Sequence, residues 1–349
     1  MALADGLGDA FAHKIASLDG RNDGAKSASF GGRLDFVDFS LAPSSTLSFA
    51  NLRAVRRLLA REHPAVLMTY NWGAIEAAIA NRLLPACPHL HCEDGFSGDP
   101  TTTTDPLRRR LGRRLAIGPN SRLLVPSLTL QRLSASRWGI PTERIQYIAN
   151  GVDVGHFVPL QQTVKTHSGP RPIVIGTVAR LSTEKNIARL IGVASQLIGA
   201  MDLEVRIAGD GPTFGSLQAL IRDADLQDVV KLMGATRDVA TMLQELDIFA
   251  LTSDTEQMPY SVLEAMACGL PVVATDVGDV RQMLSEENRP FVAPVEDDKS
   301  IGAHVLRLGR SGVLRQRVGA ANRRHVVNNY SRRLMVDRYQ DLLTQLVTV

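Results

Sequence analysis

Thr252-Ser-Asp-Thr-Glu-Gln-Met-Pro-Tyr-Ser-Val-Leu-Glu-Ala-Met-Ala-Cys-Gly-Leu-Pro-Val-Val-Ala-Thr275 decides the fold. The apolar run Asp247 to Leu251 ahead of it reads as a buried strand, and the polar residues after it as a loop. A helix follows and stops at Gly269, and Pro271 opens a second apolar run, Val272 to Thr275. Strand, helix and strand in that order make a parallel βαβ unit. Glu256 falls in the loop at the carboxyl end of the first strand. Glu264 follows inside the helix, about two turns on. Ligands of open parallel sheets sit at strand carboxyl ends, where helix N-termini also point. Two carboxylates there suit a polyhydroxyl ligand, because charged acceptors make the stronger hydrogen bonds to hydroxyls. On spacing alone, however, two glutamates beside a turn read better as solvated residues.

The eleven residues Ala265 to Thr275 reverse that reading. Glu-x7-Glu followed by Ala-Met-Ala-Cys-Gly-Leu-Pro-Val-Val-Ala-Thr resembles the signature of the retaining glycosyltransferases of family 4, which have the GT-B fold. The resemblance covers Val174 to Leu284 strongly and most of the remaining chain loosely. It implies an α/β protein of two Rossmann-like parallel-sheet domains facing a central cleft, with the donor held mainly by the second. The implied reaction is a retaining hexosyl transfer from a UDP- or GDP-sugar to a glycan or lipid-linked acceptor hydroxyl. Assembly of cell-envelope polysaccharide, exopolysaccharide or glycolipid is the implied setting.

On the positions that match, the resemblance assigns Glu264 to the ribose hydroxyls and Glu256 to the hydroxyls of the donor sugar. Backbone groups of Gln257, Met258, Pro259 and Tyr260 would face the sugar or the β-phosphate. The loop with Gly234 and Arg237 would cradle the base, largely with backbone groups. Arg180 and Lys185, at a strand end and the start of the next helix, would hold the departing diphosphate. Residue chemistry agrees, since arginine's planar fork suits phosphate oxygens and lysine adds a mobile point charge. Fixed cations there stabilise the leaving charge without a metal, so neither metal nor cofactor is expected. No strand-end Asp-x-Asp stands out, because Asp223-Ala-Asp225 lies in a helical pattern. A glycosidase-like nucleophile is not evident either, which favours departure and attack on one face. Gln257 stands where most of the family has glycine, and its narrower φ range leaves the donor sugar open.

Composition sets the outer bounds. A chain of 349 residues is long enough for two domains, and 44% hydrophobic with 21% charged residues is the balance of a soluble globular protein. A formal net charge of +3 is too small to imply nucleic acid. There is no apolar run of membrane-spanning length and no basic-then-apolar leader, so a cytoplasmic location is expected. Three cysteines argue against a disulfide framework. Cys87-Pro-His-Leu-His-Cys92 holds four metal-type ligands, but it lacks a convincing second pair, and buried thiols are the better reading.

Taken in order, the chain alternates strands and helices, the pattern of a parallel sheet. The domains expected are 1–157 on the acceptor side, a linker at 158–171, 172–328 on the donor side, and a C-terminal helix at 329–349 that crosses back. The usual opening strand, glycine-rich loop and helix of the family are not seen, which keeps a non-catalytic nucleotide-sugar or glycan-binding remnant as the alternative. Another GT-B enzyme, such as a sugar-nucleotide epimerase, is the rival within catalysis. By family position, His91 would face the reaction centre from the first domain, with Asn71, Glu93 and Asp94 on the acceptor side. The segment Asp105 to Ile117 places Leu107, Leu111 and Leu115 four apart among five arginines. That pattern fits either leucines packed on the domain or a helix lying on an anionic membrane through Arg108 to Arg114. In the second case the protein sits on the inner face of the cytoplasmic membrane.

Overall fold

The computed structural model describes residues 2–19, 34–42, 47–95, 107–160 and 171–348. Most of the linker, most of the loop 19–24, and residues 96–106 ahead of the basic helix lie outside those residues. The described residues divide into two compact units, one from Met1–Gly98, Thr102–Ala149 and Arg333–Val349, the other from Asn150–Arg332.

In the first unit, β1 (His13–Ala16) and β2 (Leu34–Val37) pair in parallel as a separate two-stranded sheet. The main sheet holds β3 (Leu67–Tyr70), β4 (His89–Cys92), β5 (Ser121–Val125) and β6 (Ile145–Tyr147), all parallel and in that order. Helices intervene at Phe49–Glu62, Ile75–Leu83, Leu107–Ala116 and Leu128–Ser136. Ser48 caps the first of these by accepting the Asn51 N–H, and its Leu52, Val55 and Leu59 bury one face against Ile75 and Ile79. The last helix of the chain, Arg332–Thr348, supplies Met335, Val336, Leu342 and Leu343 to a core with Leu7, Leu90, Leu124 and Ile148. The C-terminal residues are therefore part of the first unit's interior.

The second unit is one six-stranded parallel sheet. Its strands are β7 (Ile173–Val178), β8 (Leu203–Ala208), β9 (Val230–Gly234), β10 (Ile248–Leu251), β11 (Val272–Thr275) and β12 (Val292–Ala293). Their spatial order is β12-β11-β10-β7-β8-β9. Helices cover both faces, so the central strands read as continuous apolar runs, with Ile175, Val205, Ile207, Ile248 and Ala250 buried. The chain leaves β7 towards β8 and β9, then returns to lay β10 on the other side of β7. The order reverses between β7 and β10, and that is where an open parallel sheet leaves a crevice.

The helix Tyr260–Ala267 between β10 and β11 ends at Gly269, whose φ of +74° suits glycine. Leu270 N–H returns to the Ala265 carbonyl and closes the turn. Gly319, within the helix Gly312–Asn329, lies against that terminus, and a Cβ there would stand 1.9 Å from the Gly269 carbonyl oxygen. Backbone meets backbone at this point, so the neighbour cannot yield. Gly319→Ala is predicted to cost at least about 2 kcal/mol in urea unfolding. Gly192→Ala, in an exposed helical position with nothing within 4 Å, should instead gain about 0.5 kcal/mol.

Candidate active site

The charged candidates of the second unit lie in the loops after strand carboxyl ends, except Glu264, which sits in the helix that follows one of those loops. β7 stops at Val178 and the chain runs on to Arg180, which is exposed. Gly209, after β8, holds this strand end in place. At its φ of +144° a Cβ would sit 1.8 Å from the Ala179 carbonyl oxygen, so only glycine lets the two turns touch. Leu181 N–H donates to the Asp210 carbonyl at 2.9 Å in the same contact. Gly209 and Gly211, which press on the Ala179 and Leu181 backbone, thus form a clamp behind Arg180.

A short turn, Thr183–Lys185, carries Lys185 to the mouth of the helix Ile187–Leu197. Asn186, left-handed at φ +41°, caps that helix by accepting the Arg189 N–H. Its amide also donates to both carboxylate oxygens of Asp254 at 3.0 and 3.1 Å. Arg189 donates to the Thr252 carbonyl at 2.7 Å and to Asp254 at 2.8 Å. Asp254 N–H reaches the Glu184 carbonyl at 2.8 Å. These bonds lock the loop after β7 to the loop after β10. No sequence motif singles out Asn186, Arg189 or Asp254; asparagine directly ahead of an apolar helical run is the available signal.

The lock sets the functional groups side by side. Lys185 Nζ lies 2.6 Å from Glu256 Oε1, and the Ser253 hydroxyl donates to the same oxygen at 2.9 Å. The backbone around Glu256 is fixed from the turn after β11, because the Gln257 carbonyl accepts the Asp279 N–H at 2.9 Å. Gly278, at φ +55°, packs so closely that a Cβ would meet the Glu256 carbonyl oxygen at 2.4 Å. Gln257 and Met258 are buried, and Pro259 leads into the helix with Tyr260 half exposed. Asn150 steadies this segment: its side-chain amide donates to the Met258 carbonyl at 3.0 Å and accepts the Tyr260 hydroxyl at 3.1 Å. Glu264, half-buried in the same helix, is pushed above its ordinary value of 4.5 by burial, and nearby His156 offsets part of the rise. Gly234 ends β9 at φ +71°, and exposed Arg237 follows it.

The first unit treats its candidates differently. Asn71 stays accessible after β3, at φ +55°, and its side-chain oxygen accepts the N–H of exposed Asp94 at 2.9 Å. His91 and Glu93 are fully buried, which corrects the expectation that they face a substrate. Period-two alternation along β4 puts His89 and His91 on one side, among polar partners. The Thr69 hydroxyl lies 2.8 Å from His89 Nε2 and 2.7 Å from His91 Nδ1. Ser121 closes the other side of His89 at 3.0 Å. His91 Nε2 meets Glu93 at 3.3 Å, and Arg113 grips Glu93 with two bonds of 3.0 Å. Burial pushes His89 down to about 3, with His91 adding to the shift. Burial alone would raise Glu93, but the bonds from His91 and Arg113 outweigh it and hold the carboxyl below 4.5.

Arg113, part of a basic run in the sequence, does not lie on the surface. It is 1% exposed, with its guanidinium 4.3 Å from the centre of the Trp138 ring. The thiols of Cys87 and Cys92 are buried and raised by burial. Among the described residues no group of three His, Cys, Asp or Glu is placed to hold a metal ion. No helix among them is long and apolar enough to cross a membrane.

Two parallel α/β units, one with a switch point lined by strand-end charges, define a GT-B glycosyltransferase architecture. The chain matches the family "Glycosyltransferase Family 4" over residues 2–156 and "Glycosyl transferases group 1" over residues 161–325. It belongs to the family-4 type of glycosyltransferase. It is 31% identical over 188 residues to the putative colanic acid biosynthesis glycosyltransferase WcaL of Escherichia coli (strain K12), covering 51% of this chain and 45% of that one. It is 34% identical over 214 residues to a GDP-mannose-dependent alpha-mannosyltransferase of Mycobacterium tuberculosis (strain CDC 1551 / Oshkosh), covering 59% and 52%. The chain thus spans about half the length of these curated relatives. Anabaena Alr3699/HepE, solved in complex with UDP, shares the fold at a TM-score of 0.74 and 19% identity, over 89% of this chain and 86% of that one.

The Glu93–Arg113 pair makes a direct prediction. Arg113→Met removes the cation that grips a buried carboxylate, leaving it only His91, and should cost about 3–5 kcal/mol in urea unfolding. Arg108→Met, on the exposed side of the same helix, should stay within about 0.5 kcal/mol.

Proposed function

We propose that this chain is a retaining glycosyltransferase that moves a hexose from a UDP- or GDP-sugar to an acceptor hydroxyl without a metal. The setting proposed is assembly of cell-envelope polysaccharide, exopolysaccharide or glycolipid, in the cytoplasm at the inner face of the membrane. The observation that carries the reading is the Lys185–Glu256 pair at 2.6 Å at the switch between β7 and β10, with Arg180 just past the carboxyl end of β7. A cation and a carboxylate fixed together match the two ends of a sugar diphosphate. Relatives point to the same chemistry: one is named for GDP-mannose, another for colanic acid, and a solved structure of the fold holds UDP.

In this account Glu264 accepts the ribose hydroxyls and Glu256 the hydroxyls of the donor sugar. The segment Gln257–Tyr260 lines the sugar, and the turn with Gly234 and Arg237 holds the base. The bond between the sugar's anomeric carbon and the β-phosphate oxygen breaks, and that oxygen gains charge. Arg180 and Lys185 stabilise the charge from preset positions, so little reorganisation is needed as it develops. The acceptor oxygen attacks on the face the phosphate leaves, and its proton passes to the departing phosphate. Lys185 is already held by Glu256 before donor arrives, which keeps its long side chain from wandering. The accessible pair Asn71 and Asp94 is assigned to the acceptor side.

Thermal unfolding with UDP and with GDP tests the donor part. One of them, at about 100 times its dissociation constant, should stabilise the protein by about 2.7 kcal/mol. The free nucleoside should do much less, and Lys185→Ala should erase most of that difference. Neither nucleotide giving a shift would contradict the proposal.

Glu264 adds a pH signature. Hydroxyls bind best to its ionised form, and its pKa in the free protein lies above 4.5. Nucleotide affinity should therefore be full near neutral pH and fall, as acid is added, earlier than an ordinary glutamate would allow. Glu264→Gln should weaken binding and flatten that part of the profile.

A further inference from the structure

The helix Leu107–Ala116 is built inside out. Its inward side presents Arg113 and Ala116, both buried, with half-buried Arg109 and Gly112. Arg113 is paired to Glu93 and lies over Trp138, and Arg109 stands 5.5 Å from the centre of the Trp72 ring. Gly112 presses on the same indole, where a Cβ would meet a Trp72 ring carbon at 2.8 Å. The outward side carries Leu107, Leu111 and Leu115, which are 66%, 56% and 43% exposed. At a spacing of four they form one stripe, flanked on the helical wheel by exposed Arg108 on one side and by exposed Arg110 and Arg114 on the other. The stripe does not end with the helix. Arg82 donates to the Arg114 and Leu115 carbonyls at 2.9 and 2.5 Å, and the next two residues, Leu83 and Leu84, are both more than half exposed.

A helix that serves only its own domain turns such leucines inward and leaves its arginines in water. This one is anchored by its arginines and keeps its leucines out. Exposed apolar surface that is contiguous and rimmed by charge marks an interaction site. We propose that the face formed by Leu107, Leu111, Leu115, Leu83 and Leu84 docks on an anionic lipid bilayer. The leucines enter the boundary between headgroups and acyl chains, and Arg108, Arg110 and Arg114 meet the lipid phosphates. Charge complementarity selects the occupant: a cationic rim around an apolar stripe fits a negative, fluid, apolar-cored surface. The leucines thus do the inserting, and Arg113, central to the basic run in sequence, takes no part.

Sedimentation of the full chain with vesicles tests this without donor or acceptor, so its failure would leave the transfer reaction untouched. Wild-type protein should pellet with vesicles of phosphatidylglycerol and phosphatidylcholine in about equal parts and stay free with phosphatidylcholine alone. Leu111→Glu should lower the partition at least about tenfold, since it puts a like charge at the centre of the insertion. The double change Leu107→Ser with Leu115→Ser should act the same way, with the melting temperature and nucleotide response of both variants unchanged. Equal binding to neutral vesicles, or retained binding by Leu111→Glu, would overturn the proposal. So would a wild-type dimer in light scattering that Leu111→Glu converts to monomer, because the stripe would then be covered by a second copy of the chain.

Discussion

The second unit depends on the reversal of strand order between β7 and β10. Two loops must leave adjacent parallel strands and turn into helices without filling the crevice between them. Each loop has polar backbone that needs partners, and the chain supplies them across the switch rather than within each loop. Asn186, Asp254 and Arg189 bond loop to loop, and Gly209 and Gly278 let neighbouring turns press in from either side. Flexible connections become a rigid frame, and on it Lys185 and Glu256 face each other. For the transfer proposed above, in which charge would develop on a leaving diphosphate, positioning is the main work left to the protein.

The first unit spends its polar residues in the opposite way. His89, Thr69, His91, Glu93 and Arg113 form a buried chain in which each ionisable group is held by the next. Buried charge is tolerated only when paired and bonded, and here Arg113 is drawn off the helix surface to satisfy Glu93. That demand sets the rotation of the helix Leu107–Ala116. Once Arg113 and Gly112 face inward, the leucines four apart have only the outward side left. An internal electrostatic requirement thereby shapes an external surface.

The sequence made the second unit legible because its signals agree. Apolar runs, glycine stops and the Glu-x7-Glu helix all point to parallel βαβ units, and β11 (Val272–Thr275) lies where the apolar run placed it. Lys185 and Glu256 come from separate motifs and touch in the fold. The first unit was less legible. His91 has the right position for a reacting group, but burial follows from three-dimensional neighbours that strand alternation does not reveal. Periodicity gave the helix and its leucine stripe correctly, yet it cannot say which side of a helix faces in when arginines have partners inside. Asn186 and Asp254 were missed for a related reason, since bonds between distant loops leave no local pattern.

The most direct test of the account is a structure of the protein with the nucleoside diphosphate that stabilises it. The diphosphate should lie against Arg180 and Lys185 at the carboxyl ends of β7 and β10, with the ribose hydroxyls on the Glu264 carboxylate. A nucleotide bound elsewhere in the second unit, with Lys185 still engaged only by Glu256, would contradict it.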